Sequence, residues 1–213
     1  MTTLILERHA ESTANLQHMF AGHSDHNLSP RGHQQAQLAA DYIAAHLPVD
    51  VIYSSDLPRA MQTAQPVATR LGLEIIPDSQ LREIRADFWS YQPYEEIIQN
   101  YPEAYTVWNK DIGNARCPGG ESTQELSVRI MAALTRIAEA HPGQTVLVTT
   151  HATPIRVAQC LMSGHSLTDM KDIPWVSNAS LTTAVYDNGT WQLLQVSRDD
   201  YLDELRTALP ADA

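Results

Sequence analysis

Residues 145–158 read TVLVTTHATPIRVA, and the fold follows from how that stretch divides. Positions 145–150 are an uncharged run of Thr, Val and Leu with the length of a buried strand, and a helix is expected from about 153 to 163. His151 sits at the junction. Residues 4–15, LILERHAESTAN, repeat the arrangement: a strand over 2–7 ends in Glu7, Arg8, His9 and Glu11, with Asn15 just beyond. Each strand thus delivers a histidine followed by an alanine. In open parallel sheets the ligand site gathers at the carboxyl ends of the strands. Two such strands, buried near one another, would turn His9 and His151 toward a shared cleft.

The remaining chain alternates in the same way. Residues 29–47 read as a helix that Ser29 and Pro30 start well, 49–55 as a strand, 56–71 as a helix despite Pro66, and 73–78 as a short strand. Residues 121–143 carry apolar side chains at three- and four-residue spacing, which predicts a long helix. Residues 179–197 read as a hairpin turning at Asn188-Gly189. The expected fold is α/β, a three-layer sandwich whose central, mostly parallel sheet is flanked by helices, with the hairpin at an edge. One domain over 1–213 is expected. It includes an irregular, lid-like segment at about 79–120, rich in Trp, Tyr and Pro with helical pieces at 93–110, and a partly mobile tail from about 198.

Composition narrows the function. The net charge is −11, from 14 basic and 25 acidic side chains, so the extended basic surface that nucleic-acid binding needs is not expected. No apolar run approaches the ~20 residues of a membrane helix, and the first residues meet charge too early for a secretory signal. A cytoplasmic protein with neither nucleic-acid nor membrane partner is expected. Cys117 and Cys160 have no CxxC spacing and read as packing residues. The histidines other than His9 and His151, among them His23, His26 and His33, offer no clean metal-ligand pair on a helix face, so no metal is expected. Of the basic residues only Lys110 and Lys171 are lysine. The rest are arginine, the side chain suited to a bidentate grip on phosphate or carboxylate. An acidic protein that binds an anion must gather a few of them in one pocket.

Seven blocks occur in order: RHAESTAN (8–15), AGHSDHNLSPRGHQQA (21–36), IYSSDLPRAMQTA (52–64), LREI (81–84), PGGES (118–122), VTTHATPIR (148–156) and NASLTT (178–183). Together they resemble the histidine phosphatase superfamily, also called the phosphoglycerate mutase-like family, and the likeness spans most of the chain. The first is similar to its RHG(E)xxxN signature and the third to its SxLxRAxxTA block. The resemblance implies that His9 is a nucleophile forming a phosphohistidine. Arg8, Arg59 and His151 would surround the phosphoryl group, and Asn15 would donate a hydrogen bond. Glu83 would be the general acid and then the base, with Gly22, His23 and Ala152 at the pocket rim. An imidazole attacks only with a free lone pair, so the other ring nitrogen of His9 should be held by a backbone carbonyl or similar acceptor. Phosphoryl transfer depends mainly on positioning and charge stabilisation, and two guanidinium groups can supply that charge without metal or cofactor.

The sequence also departs from the family. Ala10 and Ala152 stand where glycine is common, and a positive φ there would cost about 1–2 kcal/mol each. IRADFWSYQP (84–93) lacks the LGxWEG run of many relatives, and Ala21 replaces a polar residue that could touch phosphate. Glu11 is a competing carboxylate, read as a helix-start residue or salt-bridge partner. The aromatics Phe88, Trp89, Tyr91, Tyr94, Tyr101, Tyr105 and Trp108 read equally as a pocket wall or as the lid's own core. The expected activity is metal-independent hydrolysis of a small phosphate monoester. A phosphoglycerate mutase and a non-catalytic phosphate-binding module are the alternatives, and a homodimer stays open.

Overall fold

The computed structural model describes residues 1–207. A six-stranded sheet runs in the order β3-β2-β4-β1-β5-β6. Its strands are β1 (Thr2–Arg8), β2 (Val51–Ser54), β3 (Ile75–Pro77), β4 (Thr145–Thr150), β5 (Leu181–Asp187) and β6 (Thr190–Arg198). The first four are mutually parallel, and β5 pairs antiparallel with β1 and with β6. The helices are α1 (Thr13–Leu16), α2 (Pro30–His46), α3 (Pro58–Leu71), α4 (Tyr94–Asn100), α5 (Pro102–Lys110), α6 (Thr123–Ala140) and α7 (Ala152–Met162). This is the three-layer α/β architecture expected from the sequence.

Alternation along the strands builds two cores. Leu4, Leu6, Val146 and Val148 face one way, among Ile130 and Ile137 of α6 and Ile155 of α7. Ile5, Ile52 and Leu147 face the other, among Ile43 of α2 and Ala64 and Val67 of α3. Both faces of β1 and β4 are therefore covered, which is why their sequences read as unbroken apolar runs.

The helix starts are written locally. The Ser29 hydroxyl accepts from Gly32 N at 3.0 Å, with Pro30 in the first turn of α2. Ser122 and Glu125 exchange hydrogen bonds in a capping box at the head of α6, Glu125 N to Ser122 Oγ at 3.1 Å and Ser122 N to Glu125 Oε2 at 2.9 Å. The hairpin turns where expected, with Asn188 and Gly189 both left-handed (φ 48° and 82°).

The aromatics of the lid-like segment continue the first of these cores. Trp89, Trp108 and Phe20 are buried together, with Tyr101 and Tyr105 against them. Phe88, Tyr91 and Tyr94 keep much of their surface exposed. Beyond β6 the chain continues over α2. Residues 200–205 form a 3₁₀ turn that buries Leu202 completely and stacks Tyr201 on Tyr42 with centroids 4.6 Å apart. The Tyr201 hydroxyl donates to Ala179 O, and Gln35 Nε2 donates to Leu205 O at 2.7 Å. Apolar burial and these bonds hold residues 198–207 against α2; residues 208–213 lie outside the described ones.

Candidate active site

β1 and β4 are adjacent and in register, Arg8 opposite Thr150, so the residues that follow them leave the sheet side by side. The His9 and His151 rings have centroids 5.2 Å apart and planes inclined at 60°. His9 N donates to Thr150 O at 2.9 Å, which fixes the first histidine to the last residue of the neighbouring strand.

His9 is 4% exposed. Its Nδ1 lies 2.7 Å from Ala10 O, and a carbonyl can only accept, so Nδ1 carries the proton and Nε2 the lone pair. Arg59 Nε points to that Nε2 at 3.3 Å. Burial first, then the charges of Arg59 and Arg8, push the imidazole well below its ordinary pKa, so it is neutral at pH 7.

His151 is fully buried. Its Nε2 is 2.8 Å from Ser55 Oγ, and Leu57 N donates to the same oxygen at 3.4 Å, leaving the hydroxyl hydrogen for the ring. With that assignment Nδ1 of His151 bears the proton. Burial, then Arg59 and His9, lower its pKa strongly as well.

Arg59, in the first turn of α3, is also fully buried, and loop carbonyls clamp its guanidinium. Nη1 donates to Ser24 O at 2.9 Å and Nη2 to Gly22 O at 2.8 Å. Arg8 donates through Nη1 to Val176 O. Burial lowers each guanidinium to about 10, with Glu83 acting in the opposite sense, so both stay charged at pH 7. Two buried N–H groups, Arg8 Nε and His151 Nδ1, have no acceptor among the described residues. Each such orphan costs about 1–3 kcal/mol. Unpaired donors close to His9, whose Nε2 accepts only the long bond from Arg59, together with two permanent positive charges, suit a ligand rich in anionic oxygens.

The other expected site residues divide. Asn15 accepts through Oδ1 from Ser12 N (3.0 Å) and Ser12 Oγ (2.9 Å), and its Nδ2 makes no hydrogen bond among the described residues. The Glu83 carboxyl accepts from Ile84 N at 2.8 Å and, across the cleft, from Thr153 N at 3.3 Å in the first turn of α7. Gly22 has φ +48°, and an added Cβ would come within 2.8 Å of Ala86 Cβ, so the loop clamping Arg59 needs glycine there. Ala152 is the first residue of α7. Neither Ala10 nor Ala152 has a positive φ, so alanine at these places carries no backbone strain. His23 Nε2 donates to Glu83 O at 2.8 Å, and the ring lines a cleft of about 490 Å³ together with Arg82 and Arg129. Glu11 has the structural role, its Oε1 accepting from Ser29 Oγ at 2.6 Å. Among the described residues no three His, Cys, Asp or Glu side chains gather as a metal-holding group, and no helix is long and apolar enough to cross a membrane.

Sequence reasoning gave no role to several residues that build the site. Ser55 orients His151. Asn178 Nδ2 donates to His9 O at 3.0 Å, and Ala179 N donates to Arg8 O at 3.0 Å from a left-handed backbone (φ 56°). Thr63 Oγ1 accepts from Ala10 N at 3.0 Å. All lie inside the quoted blocks, which was the available signal. What each one touches depends on the sheet order.

Residues 4–199 match the family model described as histidine phosphatase superfamily (branch 1). Phosphoserine phosphatase 1 of Hydrogenobacter thermophilus is 38% identical over 168 residues, 78% of this chain and 79% of that protein. Phosphoglycerate mutase-like protein 4 of Arabidopsis thaliana is 36% identical over 155 residues, 72% of this chain and 67% of that protein. Among solved structures, Bacillus stearothermophilus YhfR superposes with a TM-score of 0.90 at 26% identity, covering 95% of this chain and all (100%) of that one.

Proposed function

The chain belongs to the histidine phosphatase superfamily, branch 1, and from that premise we propose that it hydrolyses small phosphate monoesters through a phosphohistidine on His9, without a metal. One observation carries the reading. His9 is a neutral imidazole whose Nδ1 proton is committed to Ala10 O, which leaves the lone pair on Nε2, facing Arg59 Nε at 3.3 Å with the His151 ring 5.2 Å from its own.

In the first step the Nε2 lone pair attacks phosphorus and the P–O ester bond breaks. The departing oxygen takes its proton from the Glu83 carboxylic acid and leaves as an alcohol, while Arg8, Arg59, Asn15 Nδ2 and His151 Nδ1 neutralise the equatorial oxygens. In the second step the Glu83 carboxylate removes a proton from water, whose oxygen attacks phosphorus. The P–N bond breaks and its electrons return to Nε2, releasing inorganic phosphate. Fixed donors in a nearly dry site suit this charge-dominated chemistry.

Phosphoserine is the first ester to test, because the 38% identical relative carries that name. The deciding experiment is a panel of phosphate esters with chelator present and His9→Ala as the blank. Release of phosphate that depends on His9 and ignores the chelator is expected. Rapid interconversion of 3- and 2-phosphoglycerate with little free phosphate would overturn the hydrolase reading in favour of a mutase. Absence of turnover on every ester would favour a binding module.

A further inference from the structure

The backbone that carries Glu83 is gripped from outside the site by one ion pair. Arg129 of α6 and Glu121, with side chains 16% and 11% exposed, pair through two hydrogen bonds, Nε to Oε1 at 2.9 Å and Nη2 to Oε2 at 2.8 Å. The same guanidinium donates through Nη1 to Gln80 O (2.7 Å) and Arg82 O (3.0 Å), and through Nη2 to Glu83 O (3.1 Å). Glu121 Oε2 also accepts from Arg85 N at 3.1 Å, and Glu121 N donates to Arg85 O at 2.7 Å. Gln80, Arg82, Glu83 and Arg85 are all tied to this pair, and His23 Nε2 adds a bond to Glu83 O.

The grip matters because Glu83 has little freedom of its own. Its carboxyl rests on the amide of the very next residue and, at longer range, on Thr153 N, so its place follows the main chain at 83–84. Proton delivery tolerates little error: a misplacement of about 1 Å can cost on the order of 10²-fold in rate. Arginine suits the task, since one edge of the guanidinium engages a carboxylate bidentately while its remaining N–H groups fan out to carbonyls. A lysine ammonium lacks that fork.

We propose that Arg129, held by Glu121, is a positioning residue for proton transfer: it fixes the backbone bearing Glu83 and touches no substrate. This rests on the general-acid reading of Glu83 above. Leaving groups separate it from a merely structural role. A departing alkoxide needs the proton, whereas nitrophenolate leaves without it, so a displaced acid slows one ester and spares the other.

The test measures kcat/KM of the wild type, Arg129→Met, Arg129→Lys and Glu83→Gln on an alkyl phosphate and on nitrophenyl phosphate, with inhibition by inorganic phosphate in parallel. For Arg129→Met the expected loss is about 10- to 100-fold on the alkyl ester and less than about threefold on the nitrophenyl ester. Phosphate inhibition should be unchanged and Arg129→Lys intermediate. Equal losses on both esters, or a loss traced to weaker phosphate binding, would overturn the proposal. Should circular dichroism find Arg129→Met unfolded, Arg129→Lys and Glu121→Gln decide by the same comparison. A wild type inactive on all esters removes the phosphatase reading and this inference with it. His9-dependent turnover with no leaving-group discrimination in the variants removes the inference alone.

Discussion

A single hydrogen bond, His9 Nδ1 to Ala10 O, decides which ring nitrogen would attack in the proposed mechanism, and burial among arginines keeps that nitrogen unprotonated. The acid limb of kcat/KM is therefore expected well below the usual imidazole pKa of 6.5. Activity should hold as pH falls from 7 through 6.5 and fail only when His9 gains a proton; a midpoint at or above 6.5 would contradict it. His9→Ala should lower turnover by at least about 10³-fold while leaving the circular dichroism spectrum intact. Glu7 shows the opposite sign. It is fully buried with Oε1 unpaired, and burial raises its carboxyl from 4.5 to about 8, the bond from Thr149 only partly opposing. Its contribution to stability is thus whole below pH 4.5 and is lost as pH rises through about 8. Glu7→Gln should flatten that dependence and stabilise the protein at pH 8 by on the order of 1–3 kcal/mol, read from urea unfolding at pH 5 and 8. An unaltered pH profile would show that Glu7 does not set it. From sequence, Glu7 was only a charge at the end of an apolar run; its unpaired oxygen follows from helices covering both faces of β1.

The strands and helices were largely legible because their signals are local: alternation, capping serines and the Asn188-Gly189 turn. What was not legible is how closely elements approach. In α2 the Ser-Pro start was evident, but the need for Gly32 was not: a Cβ there would lie 1.9 Å from Glu11 O, where α2 rests on the loop after β1. Gly32→Ala should cost roughly 3 kcal/mol, since backbone rather than a flexible side chain opposes it. A melting temperature equal to wild type would show that the two elements can part freely. The lid was hard to read for a related reason. Its turns use left-handed Asp87 and Tyr91, non-glycine residues that no sequence pattern marks. Its Trp89–Trp108 packing joins residues 19 apart through no periodic repeat.

At the scale of the molecule, one fact of topology brings the two imidazoles together: β1 and β4 are neighbours, Leu6 beside Val148, although Thr3 and its partner Thr145 stand 142 positions apart in the chain. The seven blocks mark which residues meet, and the sheet order supplies the reason. Twelve arginines are distributed over an acidic chain of net charge −11, and one of them, Arg59, is sealed beside His9 with Arg8 half-buried next to it in the chain. Small esters should therefore reach the site while anionic polymers are repelled. Duplex DNA at physiological salt should neither bind measurably nor inhibit turnover, and micromolar binding would contradict the charge argument.

The 3₁₀ turn at 200–205 also bears on how far the chain could be shortened. Ending it at Arg198 would leave all six strands and every reactive side chain in place. It would remove the Tyr201 phenol from the back of Ala179, the residue whose amide holds the Arg8 carbonyl. Trimming there should lower the activity proposed for His9 mechanically, by slackening a peptide behind that residue, with no chemical group of the site lost.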